Sequence, residues 1–388
     1  MSKFDFDTPV DRRNSNCEKW DCATEELPMW IADMDFKTAP CIQQALEKRL
    51  EHGIFGYSKI PFSFKKACQR WWKERHNFLI DTDWIIYTSG VVPALSTAVR
   101  KFSTPAEKIV VMSPCYNIFF NSIVNNGRRI LESPLEYDSE KNSYSINWKD
   151  LEEKLSDPLS AMLIVCNPHN PTGNIWTKEE LSKIGDLCKK YGITVFSDEA
   201  HCDLTEPKTD YTPFSSAGEN CKACSITAVS PSKTFNIAGL HSAAVIIPDK
   251  NIFRKMNRAL NTDEVAEPNS FAIEAAVAAW EYGDEWLDEL RAYLKKNRDF
   301  AEEEIKRECP SLKVVHSKAT YLIWIDISAS GLSSTDAQNE LRKKTGLILS
   351  CGKQYGGNGD SFLRLNAACP FSVLKDGIKR LTDFFKNL

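Results

Sequence analysis

Lys233 stands in the stretch Ala-Val-Ser-Pro-Ser-Lys-Thr-Phe-Asn, directly after an apolar run and between two hydroxyl residues, Ser232 and Thr234. Most lysines are solvated and chemically idle. A lysine drawn out of water has a lowered pKa, and its neutral amine can condense with an aldehyde. The neighbouring hydroxyls, Ser230 and Ser232, can hold a phosphate.

Four further residues lie just beyond short apolar runs. Asp198 follows Ile-Thr-Val-Phe-Ser, where a carboxylate is costly to bury unless paired. Asn170 belongs to Asn-Pro-His-Asn-Pro-Thr-Gly, a turn stiffened by two prolines that presents side-chain amides as donors. Tyr116 offers a ring for stacking on a flat ligand. Gly90 leads into Val91 and Val92 at a helix start, where free backbone N–H groups suit an anion. Arg364, within Phe-Leu-Arg-Leu-Asn, is a cation in an apolar strand and matches a carboxylate bidentately. Each has a plainer reading: a surface loop end for Asp198, an ordinary turn for Asn170, core packing for Tyr116, an internal ion pair for Arg364. Taken in order, they supply a condensing lysine, a carboxylate for a pyridine nitrogen, a phenolate donor, a stacking ring and a phosphate cup. Pyridoxal 5′-phosphate needs that set.

The elements that must carry these residues alternate. Short, largely apolar runs within 84–88, 108–113, 161–166, 193–197, 224–229 and 242–247 are separated by helical patterns. That alternation predicts an α/β fold, a mostly parallel central sheet flanked by helices, with the chemistry at the strand ends. A helix from Pro40 stops at Gly53, and another covers 62–77. Between Leu131 and Ser160 the chain reads as polar turns plus one helix. Near 288 the character changes to a long charged helix and further strands, which predicts a smaller α+β domain. The expected division is an N-terminal arm over 1–45 that contributes to the small domain, a large domain over 46–287, and the small domain over 288–388.

Composition narrows the partners. The chain has 388 residues, 42% hydrophobic and 26% charged, with a formal net charge of -4, so no basic surface invites nucleic acid or anionic membrane. No run approaches the roughly 18 apolar residues of a membrane span, and the expectation is a cytoplasmic protein with a small-molecule partner. Thirteen dispersed cysteines fit reduced thiols better than a disulfide framework. Cys221 and Cys224 form a lone C-x-x-C pair, without the second pair that a zinc site needs, and no metal is expected.

The motifs together resemble a family. Arg-Arg-Asn-Ser-Asn-Cys-Glu-Lys-Trp-Asp, Met-Trp-Ile-Ala-Asp-Met-Asp-Phe, the Asn-Pro-His-Asn-Pro-Thr-Gly turn, Ser-Asp-Glu-Ala-His-Cys-Asp-Leu and the Lys233 stretch are similar to those of fold-type I pyridoxal-phosphate enzymes of the class I/II aminotransferase superfamily. Within it the chain resembles the MalY/PatB group of cystathionine β-lyases. The resemblance implies that Lys233 bonds the cofactor, Asp198 pairs with its pyridine nitrogen, Asn170 donates to its phenolate and Tyr116 stacks on its ring. It implies a phosphate site made by Gly90, Val91, Val92, Ser230 and Ser232, completed by Tyr57 from a second subunit, hence a homodimer. It also implies that Arg364 binds the substrate carboxylate near Ala32, with His201 and Asn167 close by. Cys115 and Asn117 flank Tyr116 where relatives commonly carry proline and aromatic residues, and Thr172 stands where many have valine.

The implied reaction is α,β-elimination on an L-amino acid with sulfur at its β-carbon, giving pyruvate, ammonia and a thiol. An aminotransferase would share the cofactor and the first proton transfer. A regulatory, partner-binding protein on the same fold is the reading of a different class, and the intact set Lys233, Asp198, Asn170 and Arg364 weighs against it as the whole role.

Overall fold

The computed structural model describes residues 3–388. Its centre is a seven-stranded sheet in the order Ile85–Thr88, Ala243–Ile246, Ser225–Val229, Thr194–Asp198, Ser160–Cys166, Lys108–Ser113, Arg129–Pro134. Every strand runs parallel except Ala243–Ile246, which is antiparallel to both neighbours. The inner strands are buried along nearly their whole length, which is why they read as unbroken apolar runs rather than alternating ones.

Helices cover both faces. Lys178–Tyr191 shows how local sequence sets such an element: Thr177 and Glu180 close a capping box, and Gly192 ends the helix at φ 70°. The buried faces of that helix and of Trp148–Ser156 pack on one side of the sheet, and Val91–Lys101 and Lys250–Thr262 pack on the other.

A second sheet is antiparallel, in the order Lys313–Val314, Leu322–Asp326, Phe362–Asn366, Ser350–Cys351. The N-terminal segment joins this part of the chain, because Leu27–Pro28 pairs in parallel with Leu347–Ile348. Between 29 and 39 the backbone is irregular, yet side chains from elsewhere take up much of its hydrogen bonding. Asn366 donates to the Ile31 and Asp33 carbonyls, and Asn236 bonds Met34 and Phe36. Asp35 accepts from Arg12, Lys19 and Trp20, which fastens the segment 12–20 to the same strap.

One stretch differs from its sequence expectation. The polar region after Leu131 holds the edge strand Arg129–Pro134 and a hairpin, Glu136–Asp138 with Ser143–Ser145, before the helix Trp148–Ser156. An edge strand pairs on one side only, so its partly exposed residues lack the apolar signature of the inner strands.

Candidate active site

The parallel strands end on a common line, and the chemistry-bearing residues sit just past those ends. Gly90 caps Val91–Lys101, Tyr116 caps Asn117–Val124, and Ser230 caps the single turn Pro231–Thr234, its hydroxyl accepting from the Ser232 N–H at 3.1 Å. Asp198 is the last residue of its strand, and Asn170 lies in the turn that follows Ser160–Cys166. That turn contains cis peptides at Asn167–Pro168 and Asn170–Pro171. It closes on Gly173, at φ 71°, where a Cβ would fall 1.9 Å from Ser317 Oγ, so no other residue fits.

These strand ends enclose a cavity of about 280 Å³. Its lining includes Gly90, Val91, Val92, Ser230 and Ser232, together with Asp198, Asn170 and Tyr116. Lys233, Ala32 and His201 complete the wall, together with Cys166, His241 and Ser242, which no sequence motif singled out. A second cavity of about 570 Å³, lined mostly by the N-terminal arm, shares Ala32, Lys233 and Ala238 with the first.

Electrostatics separate the roles. Burial draws the Lys233 amine below its ordinary pKa; Arg364 adds to this, while Asp33 and Asp198 oppose it. Burial raises Asp198 to about 6, against the pull of the Ala200 N–H and of Lys233. Its neighbour Glu199 is raised to about 7 by burial, although Tyr211, the Phe214 N–H and Ser197 all donate to it. His201 is pushed down to about 3 by burial and by the nearby cations Lys233 and Arg364, so it is a neutral imidazole. Burial lifts the Tyr116 phenol to about 12, which leaves it a proton donor.

Arg364 is 5% exposed and lies over the Tyr355 ring at 5.0 Å. It donates to Asn170 Oδ1 at 3.1 Å and to the Trp30 carbonyl at 2.9 Å, while its Nε is buried without a partner. Asn167 is placed differently from the expected substrate contact: its amide donates to the Thr212 carbonyl and accepts from the Trp176 N–H, so both polar groups are spent tying loops together. Tyr57 exposes its whole side chain in the irregular segment 53–61, away from the cavity of its own chain.

The fit to pyridoxal 5′-phosphate can be tested on orphaned atoms. His201 Nδ1 and Ser242 Oγ, both in the cavity wall, are buried without partners, as a site shaped for a polar ligand leaves them. Backbone N–H groups at a helix start, two serines, a buried carboxylate and a desolvated amine are the donor set that this group requires, and the residues present fit it. The cluster with metal-like spacing among the described residues, His76, Cys202 and Asp203, is already engaged, because Asp203 accepts from His76, Trp71 and Thr234.

Residues 27–381 match the family model described as aminotransferase class I and II. The chain belongs to the class I and II aminotransferase family. Among its relatives is the cystathionine beta-lyase PatB of Bacillus subtilis, 43% identical over 97% of this chain and 99% of its own length. Protein MalY of Escherichia coli is 34% identical over 97% of this chain and 98% of its own. Among solved structures, cystalysin from Treponema denticola, which contains a pyridoxal 5′-phosphate cofactor, superimposes with a TM-score of 0.95 at 32% identity, covering 99% of each chain. The α/β architecture expected for the family is the one observed.

Proposed function

We propose that the protein is a pyridoxal 5′-phosphate-dependent carbon–sulfur β-lyase acting on L-amino acids with sulfur at the β-carbon, L-cystathionine and L-cysteine among them. One observation carries this reading: a desolvated amine, Lys233, and a buried carboxylate, Asp198, open on one cavity that Gly90, Val91, Val92, Ser230 and Ser232 also line. The relationship to a cystathionine beta-lyase over 97% of the chain supports elimination as the outcome.

When bound, pyridoxal 5′-phosphate supplies an electron sink beside the α-carbon of the substrate. Gly90, Val91, Val92, Ser230 and Ser232 would hold its phosphate, Asn170 and His201 would offer it polar contacts, and Tyr116 would stack on its ring. Asp198 keeps a proton on the pyridine nitrogen. Lys233 would anchor the group and, as a free amine, would accept the substrate's α-proton on Nζ. Arg364 grips the α-carboxylate beside Ala32, which turns the α-C–H bond toward Lys233. Lys233 or Tyr116 would give a proton to the departing thiolate, and the other products would be pyruvate and ammonia.

The working unit of this reading is a cytoplasmic homodimer in which Tyr57 reaches the phosphate of the partner subunit. The arm 1–45 and the segment 288–388 form a small domain against the large domain 46–287. No helix among the described residues is long and apolar enough to cross a membrane.

Incubation with L-cystathionine tests the assignment. Pyruvate and a free thiol appear in equal amounts without added keto acid if the protein is a lyase. Turnover that depends on an added keto acid identifies an aminotransferase instead.

A further inference from the structure

We propose that Tyr321 is a positioning residue for Lys233: its hydroxyl and the lysine amine share one acceptor, the Ala32 carbonyl, and this sharing holds the free amine at the cavity wall in its reactive, neutral form. The proposal rests on the reading of Lys233 as the residue that bonds the cofactor.

Lys233 Nζ donates to the Ala32 carbonyl at 2.8 Å, and Tyr321 Oη donates to the same oxygen at 2.9 Å. A carbonyl has two lone pairs, so the pair of donors saturates it. Tyr321 is 0% exposed, and burial raises its phenol well above the ordinary value. The hydroxyl therefore stays protonated and has no water to turn to.

The acceptor is held as firmly as its donors. Arg364 and Ser350 bind the Trp30 carbonyl on one side of Ala32, and Asn236 binds both the N–H and the carbonyl of Met34 on the other. Tyr321 is aimed by its own backbone. Thr320 before it sits at φ 67°, a left-handed conformation that a β-branched residue adopts only where its surroundings impose it. Its N–H donates to the Leu204 carbonyl at 2.7 Å.

The charged and titratable groups facing the amine are Arg364, Asp33, Asp198, His201 and Tyr321. A carbonyl that accepted only from the ammonium would favour the charged form. One that already accepts from a phenol has less to offer, so Tyr321 works in the same direction as burial and Arg364.

The test follows the rate at which added pyridoxal 5′-phosphate bonds to the full-length, cofactor-free protein as a function of pH, read by visible absorbance. In that step the amine nitrogen replaces the aldehyde oxygen, which leaves as water, and only the neutral amine reacts. The titrations of the cofactor itself are common to all variants. Tyr321→Phe keeps the ring and removes the donor, and it moves the midpoint of the profile up by about half a unit to one unit. Site-specific 3-fluorotyrosine at position 321, a stronger donor of nearly the same shape, moves it down. Tyr144→Phe removes another buried hydroxyl, one bonded to Asn358, and leaves the midpoint in place. An unmoved midpoint in the 321 variants, or an equal shift in Tyr144→Phe, overturns the proposal. If Tyr321→Phe does not fold, the fluorinated protein alone decides. A wild-type protein that forms no covalent band overturns the reading of Lys233, a separate failure.

Discussion

Arg364 Nη1 donates to Asn170 Oδ1 at 3.1 Å, and both residues are buried. The residue proposed to receive the substrate carboxylate thus also decides which way the Asn170 amide faces. With Oδ1 held by the guanidinium, the NH₂ of Asn170 is left to donate toward the cofactor phenolate. In the proposed reading, one hydrogen bond joins the residue for the substrate carboxylate to the residue for the cofactor phenolate.

Arg364→Lys removes the planar fork and that bond together. Loss of one or more charge-assisted hydrogen bonds predicts a fall in kcat/KM of about 10- to 150-fold. Because Asn170 is released as well, the visible absorbance maximum of the cofactor-loaded variant shifts before any substrate is added. A variant with weakened turnover and an unchanged spectrum would separate the two roles.

Asp198 gives a pH dependence with a definite sign. Its carboxyl in the cofactor-free protein titrates at about 6, above an unfolded value near 3.9. The native state therefore favours the proton, and ionising this group costs stability as pH rises from near 4 to about 6. A protonated pyridine nitrogen beside the carboxylate reverses the sign. The Tm gain on loading the cofactor accordingly grows as pH is raised from near 4 to about 6 and levels off above that. Asp198→Asn lacks that step, which thermal scans of both proteins at several pH values will show.

Asp203 lies behind the site and holds it from outside. Burial alone would raise its pKa, yet donation from His76, Trp71 and Thr234 wins and the net shift is downward. Its contribution is present above the unfolded carboxylate value and is lost as pH falls. Asp203→Ala strands three buried or half-buried donors, one of them on the residue after Lys233, and lowers stability by about 2–3 kcal/mol at neutral pH. Urea unfolding at pH 7 and at a pH below the ordinary carboxylate range measures this, with the difference from wild type shrinking at the lower pH.

How far such relationships could be read beforehand depends on where their signal lies. Lys233, Asp198, Asn170 and Gly90 were legible because each lies at or just past the end of a buried strand, and a polar or glycine residue closing an apolar run is a local pattern. The edge strand Arg129–Pro134 was not, since its exposed residues hide the pattern of its buried ones. Tyr321 and Asn236 were illegible for another reason: their partners are carbonyls of the irregular strap 30–36, some two hundred or more positions away, and chain spacing carries no trace of such pairs.

The exposed position of Tyr57 makes subunit sharing testable by mixing. Tyr57→Ala and Lys233→Ala chains each lose most activity as homodimers. Random reassembly of equal amounts makes hybrids with one intact site, and the mixture recovers about one quarter of wild-type activity. Recovery of none places Tyr57 outside the partner's site.

The central claim is a covalent bond between the Lys233 amine and the cofactor. Borohydride reduction of the yellow protein, followed by proteolysis and mass spectrometry, tests it directly. A pyridoxyl group on the peptide that carries Lys233, absent from Lys233→Ala, is the predicted result. A label on another lysine, or no stable label at all, would contradict it.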